Sequence, residues 1–178
     1  WMLFAFPLYA SIYAVAAVLT LLSAAIVIWR RATPGSLYFA LFLISLSIWS
    51  FASIFEAGAL SVQGKQFSSV WQYVGITTIA PFWLYFCADY SGNKEIFKPP
   101  NKYLIWVIPI ITLLLAMSNN YHGLIWREII LNAGSVNNIA EYKHGLFFFI
   151  FTGYIYTALL IGNYWLVRKL ATFRKESC

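Results

Sequence analysis

An all-α integral membrane protein, a bundle of five crossing helices, is the fold class this sequence predicts. Three observations carry the prediction. The 178 residues are 61% hydrophobic and only 10% charged. The apolar residues fall into five runs separated by polar connectors, and Lys and Arg gather in alternate connectors. An ordinary soluble domain is about 45–50% apolar and about 25% charged, so a water-soluble enzyme and a disordered tail are excluded. At roughly 20 residues per crossing plus connectors, this length allows five or six crossings.

The first helix is expected over about 8–29. No basic segment precedes it and no small-residue cleavage site follows, so it reads as a crossing and not a signal peptide. Arg30-Arg31 ends it and Thr33-Pro34-Gly35-Ser36 makes a tight turn. The second runs over 37–59, followed by a polar loop with Gln63, Gly64, Lys65 and Gln66. The third, 69–90, contains Pro81, a kink tolerated where neighbouring groups satisfy the freed carbonyl. The fourth, 103–117, is short and contains Pro109. The connector 118–143 is expected to lie at the interface as a short hairpin or a helix. The fifth helix is expected over 144–167. The whole of 1–178 is read as one transmembrane domain.

Nine Lys/Arg fall in the connectors 30–36 and 91–102 and in the tail 168–178, against three in 60–68 and 118–143. Positive charge marks the cytoplasmic side, which places the N-terminus outside, the C-terminus inside, and the chain as a multi-pass protein of the plasma membrane. The net charge of +6 then suits anionic headgroups; no nucleic-acid motif accompanies it. Cys87 and Cys178 are expected as free thiols near one membrane face. The odd number of crossings does not suit a transporter of two equal inverted halves, and no charged ring or midplane ion site suggests a channel.

Two carboxylates sit at helix ends: Glu56 outside and Asp89 inside. A charge in a crossing helix is a functional candidate, yet within a turn of the boundary one hydrogen bond or snorkelling suffices. Ser45, Trp49, Ser53 and Glu56 share one face of the second helix; Trp71, Gly75, Thr78, Tyr85 and Asp89 share one face of the third. Ala10, Ala14, Ala17 and Ala24 form a small-residue stripe on the first. Helix packing explains these stripes; Trp49 and Glu56 are also placed to line an outward pocket. His122 and His144 are both expected outside, too shallow for haem, and with Glu128 or Glu141 they match no metal spacing. No phosphate loop, GxSxG, HExxH or CxxC motif is present, so neither catalysis nor a cofactor nor a metal is expected.

The stretch Ser118-Asn119-Asn120-Tyr121-His122-Gly123-Leu124-Ile125-Trp126 resembles the signature T/S-N-x-x-H-x-L-x-W. That signature follows the fourth helix of the seven-helix N-terminal membrane region of bacterial sensor histidine kinases and some diguanylate cyclases. Leu37-Tyr38-Phe39-Ala40-Leu41 with Ser47-Ile48-Trp49, and Pro81-Phe82-Trp83-Leu84-Tyr85-Phe86 with Asp89-Tyr90-Ser91-Gly92, resemble the family's second and third helices. The family has seven helices and this chain shows five, so it is expected to be part of something longer or a natural five-helix relative. The resemblance implies a non-catalytic sensory module of a two-component signalling protein. An unknown extracellular or membrane ligand would bind near Trp49, Glu56, Asn119, His122 and Trp126. Asn119 and His122 would brace the loop or touch ligand, with His122 able to make the response pH-dependent. Asp89, Arg168 and Lys169, with Arg174 and Lys175, would couple the inner helix ends to an output domain, in a homodimer if a kinase follows. The alternative is a non-catalytic accessory subunit packed on partner helices, pigments, quinones or lipids.

Overall fold

The computed structural model describes residues 6–31, 33–131 and 138–176, the backbone alone for the last four. It is mostly helical: α1 (Ala10–Arg30), α2 (Ser36–Gly58), α3 (Val62–Ser91), α4 (Asn101–Met117) and α5 (Leu146–Glu176). Short 3₁₀ turns at Lys94–Phe97 and Asn119–Tyr121 flank α4. The expected all-α fold is modified by an antiparallel hairpin of β1 (Trp126–Leu131) and β2 (Ala140–His144). A bulge at Arg127 separates the pair Trp126–His144 from Glu128–Lys143.

α3 is the hub. It packs against α2 on one side and against α4 and α5 on the other, while α1 packs on α2. The small-residue stripe of α1 faces that neighbour: Ala10, Ala17 and Ala24 are buried, and Ser47 of α2 donates to the Ala17 carbonyl at 2.9 Å. Small residues let backbones approach. At the α2–α3 crossing a Cβ on Gly75 would stand 2.6 Å from the Ser45 carbonyl oxygen and 2.7 Å from the Trp49 nitrogen. The Thr78 hydroxyl donates to Ser45 Oγ in the same crossing at 2.8 Å.

Proline leaves a carbonyl one turn earlier without its helical donor. Pro109 does this to Ile105, and the Tyr154 hydroxyl of α5 donates to that oxygen at 2.8 Å. Tyr85 of α3 likewise donates to the Lys102 carbonyl at 2.9 Å and accepts from Trp106 Nε1 at 3.1 Å. These bonds fix α4 against α3 and α5.

α1, α2 and the Leu146–Thr172 stretch of α5 are long and apolar enough to cross a membrane; α4 is a shorter apolar helix. α3 has the length but is more polar, because the central helix buries Lys65, Ser68, Ser69 and Thr77 toward its neighbours. Its start differs from the sequence reading. The residues taken as a polar loop after 59 form the first turns of α3, capped by Ser61 Oγ accepting from the Gly64 N–H at 3.1 Å. α5 starts two residues later than expected and continues to Glu176 instead of ending at 167. Cys87 is a buried free thiol; Cys178 lies outside the described residues.

Candidate functional site

The hairpin sits over one end of the bundle and is tied to α2, α3 and α5 and to the connector that follows α4. Asn119 makes the first tie. Its Nδ2 donates to the Trp126 carbonyl at 2.8 Å, and its Oδ1 accepts from the Ile125 and Trp126 N–H groups at 3.0 Å each. All three bonds are buried, and together they brace the connector. Trp126, 4% exposed, carries the hairpin onto α3 through an edge-on contact with Tyr73, ring centroids 5.1 Å apart. The start of α5 follows: Gly145 N–H donates to Ile125 O and Phe147 N–H to Leu124 O. A Cβ on Gly145 would lie 2.3 Å from the Leu124 oxygen, which only glycine permits.

The second tie is polar. Lys65, fully buried, donates to the Glu56 carbonyl at 2.9 Å and to its carboxylate Oε1 at 3.2 Å. The Tyr142 hydroxyl of β2 donates to the same Oε1 at 2.8 Å and lies 3.0 Å from Ser69 Oγ. Burial, then the neighbouring Glu56 carboxylate, push the Tyr142 phenol up, which keeps it a proton donor. Asn138 Nδ2 donates to the Ala57 and Ala59 carbonyls at 2.9 and 2.8 Å, filling acceptors left open at the end of α2. Glu56 therefore joins α2, α3 and the hairpin.

His122 lies on the exposed side of the connector. Its Nδ1 accepts from the Leu124 N–H at 3.1 Å and its Nε2 lies 3.0 Å from Ser118 Oγ. That pairing fixes the tautomer with hydrogen on Nε2. His122 lines a polar cleft of about 400 Å³ with Gln66 of α3, Asn120, and Arg127 and Glu128 of β1. His144, by contrast, stacks on Phe148 with centroids 3.6 Å apart, its Nδ1 buried and unpartnered; burial lowers its pKa.

The remaining expected residues are spread out. Trp49 is 40% exposed, two turns along α2 from Glu56, and does not line the cleft. At the opposite end of the bundle Asp89 Oδ2 accepts from the Gly35 N–H at 2.7 Å, a carboxylate at the N-terminus of α2 that clamps the α1–α2 turn to α3. Arg168 is exposed and Lys169 half-buried on the last turns of α5. Sequence reasoning missed Lys65, Tyr142, Ser69 and Asn138. Among the described residues no group of His, Cys, Asp and Glu is placed to hold a metal ion.

A bundle of apolar helices with a braced polar cap at one end is the architecture of a membrane-embedded module. The family model for the N-terminal 7TM region of histidine kinase matches residues 12–177, and the chain belongs to that family. No curated protein and no solved structure matches it.

Proposed function

We propose that the chain is a non-catalytic sensor that crosses the plasma membrane five times, N-terminus outside and C-terminus inside. The hairpin cap and its cleft then face the exterior, and Asp89, Arg168 and Lys169 face the cytoplasm. Lys/Arg asymmetry between the connectors supports this orientation. α3, at 30 residues about 45 Å long, reaches past the roughly 30 Å hydrocarbon core to meet the cap. Lipid surrounds the apolar outer faces of α1 and α5, and a second copy of the chain or other membrane subunits pack there.

One observation carries the sensing role. The cap is bonded to α2 through Glu56, to α3 through Ser69 and Tyr73, and to α5 through Gly145 and Phe147. A ligand that prefers one cap position therefore shifts the helices, and only such a difference in affinity moves the equilibrium. The accessory-subunit alternative gives this bonded cap no task. The test is hydrogen exchange on the reconstituted chain, wild type against Glu56→Gln. Altered protection at residues 163–172, far from the change, is expected. Unaltered exchange there, with change confined to the cap, contradicts coupling.

A further inference from the structure

We propose that the cleft between the cap and α3 binds a small organic anion, with a carboxylate or phosphate head, and that Arg127 is its charge partner. The proposal rests on the sensor reading and names the chemistry of its ligand.

The charges lining the cleft point this way. Glu128 lines it, but its Oε2 is held by Lys143 at 2.7 Å, and Glu141 on β2 is outside the lining. Arg127 stands at the bulge of β1, exposed, and among the described residues no carboxylate pairs with it. The uncompensated charge of the cleft is therefore positive.

The hydrogen-bonding inventory agrees. Asn119 Oδ1 and one of its Nδ2 hydrogens are engaged by the connector, and both His122 nitrogens are engaged. Gln66 Nε2 donates to Asn120 Oδ1, which leaves the Asn120 Nδ2 hydrogens and the second Gln66 amide hydrogen unspent. With the five guanidinium hydrogens, the cleft offers mostly donors, the complement of an anion's oxygens. The planar fork of Arg127 suits a carboxylate or a phosphate equally.

Recognition would add a link between three elements that Gln66 and Asn120 already join in part. Arg127 belongs to the hairpin, Asn120 to the connector after α4, and Gln66 to α3. An anion held by all three draws the hairpin toward α3, the movement that the sensor reading requires.

The test uses the purified chain in uncharged maltoside micelles, with ¹⁵N backbone shifts at residues 66, 120 and 127 as readout. Benzoate, phenyl phosphate, the neutral isostere benzamide and short-chain phosphatidylglycerol are titrated separately. Saturable shifts are expected with benzoate or phenyl phosphate, weakened about tenfold or more by Arg127→Gln and unchanged by Lys98→Gln at the opposite end. Saturation by phosphatidylglycerol alone, with the same Arg127 dependence, supports the proposal and assigns the anion to a lipid headgroup. The spectrum of Arg127→Gln away from the cleft reports that it is folded. Benzamide binding as well as benzoate overturns the anion class while leaving the cleft as a recognition site. No saturable anion binding, or binding that Arg127→Gln leaves intact, overturns the proposal. Failure of the sensor reading is seen separately, as an unresponsive inner end of α5.

Discussion

Replacing Asn119 by Ala removes three buried hydrogen bonds while adding no bulk. The Trp126 carbonyl loses its donor, and the Ile125 and Trp126 N–H groups lose their acceptor. A buried backbone group left without a partner costs about 1–3 kcal/mol. Asn119 is 6% exposed and Ile125 fully buried, so water restores little. Three such groups give roughly 3–9 kcal/mol, discounted toward the lower end by relaxation of the short 3₁₀ turn. The loss falls on the cap, because the helices keep their own bonds. Amide exchange of Ile125 and Trp126 should accelerate at least about 100-fold, the equivalent of about 2.7 kcal/mol. Exchange in the middle of α2 should hardly change. Hydrogen exchange in micelles or nanodiscs, read by NMR or mass spectrometry, checks this. Unchanged protection at residues 124–131 would refute the assignment of Asn119 as the brace.

Further outcomes follow from the same geometry. Glu56→Gln leaves the buried Lys65 ammonium without its counter-charge and should lower Tm; adding Lys65→Met should recover much of the loss, since an apolar pair often replaces a buried ion pair at little cost. A double variant no better than the single would contradict the pairing. Gly75→Ala drives a methyl into the backbone of α2 and should destabilise by about 1–3 kcal/mol or more, whereas Gly153→Ala, whose Cβ meets nothing, should be nearly silent in the same melt. Burial holds the folded-state pKa of His144 below its usual 6.5. The stability this contributes is complete above pH 6.5 and lost as pH falls from there through the folded value. Tm should thus drop between pH 7.5 and 5.5, with a smaller drop in His144→Gln; equal drops in the two proteins would assign the effect elsewhere.

The apolar runs could be read in the sequence because a bilayer demands long unbroken apolar segments. α1 and α2 follow those runs closely. α3 was harder, since Gln63, Gly64, Lys65 and Gln66 read as a loop to any hydropathy argument. Lys65 is helical and buried because Glu56 and the helix packing enclose it, a pairing that periodicity cannot reveal. The hairpin was legible only as one of two options, because Trp126–Leu131 does not alternate strictly and its bulge breaks the register. Asn119 and Trp126 were found through a motif, and their brace accounts for it: an amide with one donor and one acceptor edge closes the turn that seats the tryptophan. Tyr142 had no local signal, since it meets Glu56 across 86 residues of chain. Asp89 stood out as a charge at a helix end, and one backbone N–H explains it.

The membrane threading is tested most directly by labelling single cysteines in intact cells with a membrane-impermeant maleimide, in a background with Cys87 and Cys178 replaced by Ser. Tyr121→Cys lies beside the hairpin at a position 92% exposed, and Lys94→Cys lies in the connector between α3 and α4. The account predicts that Tyr121→Cys reacts in intact cells and Lys94→Cys only after permeabilisation. Reaction of both from outside, or of Lys94→Cys alone, would contradict it.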